Sequence, residues 1–107
     1  RRRDEINRAG LKIQPGEIDL FLQRHPDIAE ACCFGWPDPV AGEILAAAVR
    51  PAEGAALDVA SLRAWCRGGL NRELVPEKWF VLPEIPRTDR GKVSRRQVYE
   101  FCRTRQP

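Results

Sequence analysis

At 107 residues with a formal net charge of +3, the chain is long enough for one hydrophobic core and too short for a deep two-domain active site. Hydrophobic residues make up 43% and charged residues 31%, the balance of a soluble globular domain, and so mild a basic excess argues against a general nucleic-acid module and makes any anion binding local. No apolar run approaches the roughly 20 residues a membrane span needs, and RRRDEIN at the start lacks the apolar stretch of a signal peptide; so abrupt and charged a beginning is expected of a piece of something longer.

Residues 5–13, EINRAGLKI, are two short extended runs meeting at Ala9-Gly10, where glycine can take the positive φ of a tight turn, and they predict a hairpin. Pro15 suits a first helical position, with Glu17 and Asp19 near the positive end of that helix. Ile18, Phe21 and Leu22 then recur at i, i+3 and i+4 until His25-Pro26 stops the helix. IAEACCFGW and EILAAAVRP are apolar runs of strand length separated by the turn-rich PDPVAG, which predicts two adjacent strands at the centre of a sheet. PAEGAALD reads as a surface loop, the stretch expected to tolerate insertion. Asp58 can cap a second helix in which Val59, Leu62 and Cys66 share a face, and Gly68-Gly69 weakens its end. KWFVL is the next strand. Ser94 and Gln97 have capping-box spacing, and Val98, Phe101 and Cys102 give the apolar stripe of a closing helix. The expected fold is a small α/β (α+β) domain: an N-terminal β-hairpin, then a mostly three-stranded sheet with about three packed helices.

The four cysteines lack ligand-like spacing: Cys32 and Cys33 are adjacent, while Cys66 and Cys102 stand far apart among apolar neighbours. They are expected as reduced core residues, not as a metal or redox site, which places the protein in the reducing cytoplasm. The single histidine, His25, precedes a proline and completes no metal-ligand pattern.

Chemistry concentrates in residues 85–96, IPRTDRGKVSRR, where Lys92 follows Gly91. A phosphate-cradling P-loop needs G-x-x-x-x-G-K-[ST]; here Pro86 replaces the first glycine and Val93 the hydroxyl residue, so that reading fails. Nucleophilic catalysis needs a base beside its nucleophile, and the lone histidine has no partner that sequence identifies, which weighs against a hydrolase. What remains is a lysine on a glycine-flexed loop in front of a helix. That arrangement suits a positive charge delivered to phosphate or carboxylate oxygens, an electrostatic catalyst and not a nucleophile. Arg87, Arg90, Arg95 and Arg96 around it are expected to form a solvated basic face.

Three segments, RRRDEINRAGLKIQPGEID, HPDIAEACCFGWPDPVAGE and PRTDRGKVSRR, in this order and at these separations, resemble the C-terminal domain of the acyl-adenylate-forming ligases. That family comprises acyl-CoA synthetases, aryl-acid ligases, peptide-synthetase adenylation domains and luciferases. INRAGLKI is most similar to the branch that activates fatty, aryl or other simple carboxylic acids. The resemblance, which covers nearly the whole chain, implies two steps. A carboxylic acid substrate attacks ATP, bound with magnesium, to give an acyl-adenylate and pyrophosphate; the thiol of coenzyme A or of a carrier-protein phosphopantetheine then displaces AMP.

By the same resemblance Lys92, closing the P-x-x-x-x-G-K segment 86–92, enters the active site for the first step, with Gly91 beside the nucleotide. The family rotates this domain about a hinge that aligns with Arg3, where Asp or Lys is usual, and Arg1 matches an arginine that reaches the ribose hydroxyls. After rotation the hairpin around Ala9 and Gly10 faces the active site, where Gly10 leaves room for a pantetheine arm and Lys12 can meet a phosphate. Residues 1–13 are thus read as hinge and hairpin, and 14–107 as an α/β core carrying the loop 86–92. Acylation of Lys92 by a lysine acetyltransferase, a control known in the family, would remove its charge.

NRELVPEK departs from the family, in which many members have an aromatic-lysine pair before the valine-proline. The family's phosphate loop, adenine pocket and acid pocket belong to a large N-terminal domain outside these 107 residues, so ATP is expected to bind mainly there and the isolated chain to be inactive. A stand-alone, non-catalytic cap-like module that binds a carrier protein or a modifying enzyme remains the alternative. A nucleic-acid binder is disfavoured because aromatics are few and not interleaved with the basic run.

Overall fold

Both central residues of the first turn, Ala9 and Gly10, have positive φ (50° and 88°), the primed-turn geometry whose twist matches that of paired strands. They join β1 (Ile6–Arg8) to β2 (Leu11–Ile13). The computed structural model describes residues 4–105. Helix α1 (Pro15–Leu22) begins on its proline and buries Ile18 and Leu22. Strands β3 (Ile28–Asp38) and β4 (Gly42–Pro51) pair antiparallel from Ile28↔Pro51 to Asp38↔Gly42. Their reversal is fixed by Asp38, whose carboxylate accepts the N–H groups of Val40 and Ala41, and by Gly42 at φ 87°. Then follow α2 (Val59–Arg67), a short 3₁₀ turn (Arg72–Leu74), β5 (Lys78–Val81) and α3 (Arg95–Arg103).

The hairpin and β5 share one edge of β4 because β3 occupies the other along its whole length. Arg8 pairs with Gly42 at the start of β4, and β5 runs parallel to its second half from Ala46↔Lys78 to Val49↔Val81. The expected three-stranded centre is β3, β4 and β5; the hairpin joins it, giving a mixed sheet of five strands.

Alternate residues of the central strands face opposite sides, and both sides are covered. Cys33, Leu45, Ala47 and Val49 meet α1 and α2 through Ile18, Leu22, Leu62 and Cys66. Cys32, Phe34, Trp36, Ala46 and Ala48 meet α3 through Val98 and Cys102. This double burial is why these strands read as unbroken apolar runs. Tyr99 of α3 abuts Trp36 edge-on with ring centroids 5.2 Å apart, fixing the helix that follows the Lys92 loop. All four cysteines are free and buried. No helix of the described residues is long and apolar enough to cross a membrane.

Candidate functional site

The chain leaves β5 still anchored: Leu82 donates its N–H to the Val49 carbonyl at 2.9 Å, and Leu82 and Ile85 are buried in the core beneath α3. From Pro86 it turns outward. Gly91 N–H donates to the Thr88 carbonyl at 2.8 Å and Thr88 N–H to the Lys92 carbonyl at 2.7 Å, with Gly91 at φ 80°. These two bonds and the left-handed glycine make a tight turn closed by a G1 bulge, a conformation in which a side chain at the glycine position would strain the backbone. Thr88 adds a third tie, its Oγ1 accepting Lys92 N–H at 3.2 Å. Lys92 is therefore held by its backbone while its exposed ammonium makes no ion pair among the described residues. Such a group can bring a positive charge to an anion with little reorganisation of the loop.

Two of the surrounding arginines correct the expectation of a solvated basic face. Arg95, the first residue of α3, is only 23% exposed; its Nη1 donates to the Asp19 carboxylate at 2.6 Å and to the Cys33 carbonyl at 3.0 Å. Asp19 in turn accepts the Cys33 N–H at 2.5 Å. Burial raises the Asp19 carboxyl above its ordinary range, and the Arg95 and Cys33 hydrogen bonds pull it part of the way back. Burial also works against the Arg95 charge, but the hydrogen bond and charge of Asp19 outweigh it and hold the guanidinium above its usual value. Arg87 pairs with Glu30 of β3 and donates to the Gly91 carbonyl at 3.2 Å. Arg90 and Arg96 are exposed, as expected. The overlooked signal was electrostatic: two arginines at the N-terminus of a helix oppose its dipole, so a buried one needs a carboxylate partner.

At the other site, Gly10 has open space around it, and its N–H is tied to Asn7 Oδ1 at 3.1 Å. Lys12 lines a cavity with Glu17, Leu20, Phe21 and Leu74. The hairpin is joined to the start of β4, whereas Arg87 and Arg95 fasten the Lys92 loop to Glu30 and Cys33, opposite the end and middle of β4. The two sites therefore stand apart along the sheet. Arg1 and Arg3 lie outside the described residues. No cluster of His, Cys, Asp and Glu able to hold a metal occurs among the described residues.

A feature that sequence reasoning did not assemble is an open cleft of about 740 Å³ lined by Arg8, Arg63, Arg67 and Arg72, with Val75 and Glu77. Glu77 is partly occupied: it pairs with Arg8 at 2.9 Å, and its carbonyl accepts from Arg63 at 2.6 Å. Arg67 and Arg72 are exposed and have no carboxylate partner among the described residues. Only Arg63 and Arg67, four apart on α2, were adjacent by sequence spacing.

The family model of the AMP-binding enzyme C-terminal domain matches residues 17–92, which include the whole of β3 and β4 and end on Lys92. The chain belongs to this family. The domain is 40% identical over 93 residues to the oxalate–CoA ligase of Arabidopsis thaliana, covering 87% of this chain and 18% of that protein. Its fold superposes with a TM-score of 0.83 on the o-succinylbenzoate CoA synthetase of Bacillus subtilis, solved with its acyl-adenylate intermediate. There the identity is 32% over 92% of this chain and 20% of the other. It also matches ATP-bound MatB of Rhodopseudomonas palustris, with a TM-score of 0.86 and 26% identity over 92% of this chain and 20% of that one. The domain thus spans about a fifth of the length of these relatives.

Proposed function

We propose that this domain works as the mobile C-terminal part of an ATP-dependent, AMP-forming ligase that joins a carboxylic acid to a thiol in two steps. The observation that carries this reading is the exposed, backbone-fixed Lys92 at the end of the family segment. In the first step a carboxylate oxygen attacks the α-phosphorus of ATP, and the bond to pyrophosphate breaks. Nucleophile and electrophile are both anionic, so an ammonium placed between their oxygens offsets the repulsion and stabilises the charge of the transition state. The phosphate, adenine and acid pockets are supplied by a large N-terminal domain of the same enzyme. In the second step the domain turns about the segment at Arg3, the hairpin replaces the Lys92 loop at the active site, and a thiolate sulfur attacks the acyl carbon, releasing AMP.

The arginine-lined cleft favours coenzyme A over a carrier protein as the acceptor. Four guanidiniums, one of them that of Arg8 on the hairpin, against one carboxylate suit a ligand whose phosphates are clustered. Lys12 and Gly10 border the path of the pantetheine arm in this reading. The four unpaired, buried thiols are in keeping with a cytoplasmic enzyme. Acetylation of the exposed Lys92 by a lysine acetyltransferase would remove the charge on which step one depends.

The reading is tested on the full-length protein that carries this domain, supplied with ATP, coenzyme A and a panel of carboxylic acids. It predicts AMP, pyrophosphate and acyl-CoA in equal amounts. Formation of ADP and phosphate, or no thioester with any acid, would reject it.

A further inference from the structure

Lys92 lies between two arginines, Arg87 five residues before it and Arg95 three after, and both fasten to β3. On the near side Arg87 pairs with Glu30 and, from the same guanidinium, donates to the carbonyl of Gly91 at 3.2 Å, so one side chain links β3 to the residue preceding Lys92. Glu30 is itself held, since Arg50 on β4 donates to its other oxygen at 3.1 Å. On the far side Arg95 binds the Asp19 carboxylate of α1 and the Cys33 carbonyl of β3, and Asp19 accepts the Cys33 N–H, which closes a ring of three hydrogen bonds. Arg95 Nε also faces Asp4 at 3.6 Å, next in sequence to Arg3. One loop is thus pinned at both ends to the most buried strand pair of the domain. A planar guanidinium suits both places because each must serve two acceptors at once, which a lysine ammonium does with less fixed geometry.

We infer that Arg87 and Arg95 are positioning residues for adenylation, clamping the two ends of the Lys92 loop to β3 so that the ammonium is presented from a fixed base. This rests on the proposed role of Lys92. A displacement of about 1 Å in a reacting group can cost on the order of 10²-fold in rate, so a loosened loop slows only the step that uses Lys92. In the thioester step the loop is withdrawn and its rigidity has no effect.

The experiment compares Arg95→Met, Arg87→Gln and Lys92→Ala, singly and with each arginine change added to Lys92→Ala, in the full-length ligase. Adenylation is followed by pyrophosphate exchange, and thioester formation is started from synthetic acyl-adenylate. Each arginine variant is expected to slow adenylation about 10-fold or more, to leave KM for the acid within about twofold, to leave the thioester step unchanged, and to add no loss in the Lys92→Ala background. Equal loss in both half-reactions would show a general structural role, and multiplicative loss on top of Lys92→Ala would show action independent of that lysine; either overturns the inference. So does normal adenylation in the arginine variants. If Arg95→Met does not fold, Arg87→Gln decides alone, because its side chain is 44% exposed. Normal adenylation by Lys92→Ala overturns the reading of Lys92 itself, and this inference with it.

Discussion

The place of Lys92 on an exposed loop before a helix was legible because its neighbourhood is local: a glycine before it, prolines and arginines around it and a capping serine after it fall within one short window. Arg95 was not, because its partner Asp19 is 76 residues away and nothing in the intervening chain announces the pairing. The same window that exposes a lone lysine hides a buried arginine, since both look like surface charge until the fold closes. The cysteines were readable from their apolar neighbours, and their burial has a measurable consequence. Burial pushes the Cys32 thiol up to about 12 and those of Cys66 and Cys102 to about 11, from an ordinary 9.0. A thiol raised on folding contributes stability that is fully present below pH 9.0 and is lost as pH climbs toward 11 and 12. The urea midpoint should therefore be flat from neutral pH to about 9 and fall steadily above it. At pH 8 iodoacetamide should label these cysteines only after unfolding, as mass spectrometry would show. Rapid native labelling, or a midpoint rising with pH above 9, would contradict this account of the core.

Elements were most legible where one local cause sufficed. The hairpin followed from Ala9-Gly10, the start of α1 from Pro15, and the starts of α2 and α3 from Asp58 and Ser94. Strand β4 is harder: three consecutive alanines, Ala46 to Ala48, have poor strand propensity. They are extended because helices cover both faces of the sheet and small side chains fit between the layers. The parallel pairing of β5 and the attachment of the hairpin to Gly42 were hidden, since each depends on which edge of β4 remains open after β3 has paired. Ser94 links this scale to the site. Only two residues beyond Lys92, its Oγ accepts Gln97 N–H at 3.3 Å. Ser94→Ala should lower stability by about 1 kcal/mol, read by urea denaturation, with hydrogen exchange at Gln97 quickened before that of the buried centre of α3. A substitution without effect on either would mean that Arg95, not the cap, holds this helix start.

Across the whole molecule, charge is sorted by use. The net excess is only +3, yet four arginines gather at one cleft, while Arg87 and Arg95 neutralise carboxylates within the scaffold. The densest gathering of arginines therefore lies beside the hairpin and not in the arginine run around Lys92. If the cleft receives the phosphates of coenzyme A, Arg67→Glu with Arg72→Glu should raise KM for coenzyme A by about 10-fold or more and leave pyrophosphate exchange unchanged. An unchanged KM would remove the cleft from the acceptor site. The hairpin and the Lys92 loop are separated along the sheet, and on the proposed two-step mechanism, with one surface for each half-reaction, a single change would silence one step and spare the other. That separability is tested most directly by Lys92→Ala in the full-length ligase, with the two half-reactions measured independently. Adenylation should fall by about 10²-fold or more, the scale of losing an oxyanion-type donor, while thioester formation from synthetic acyl-adenylate stays at the wild-type rate. Normal adenylation, or equal loss in both steps, would contradict the account.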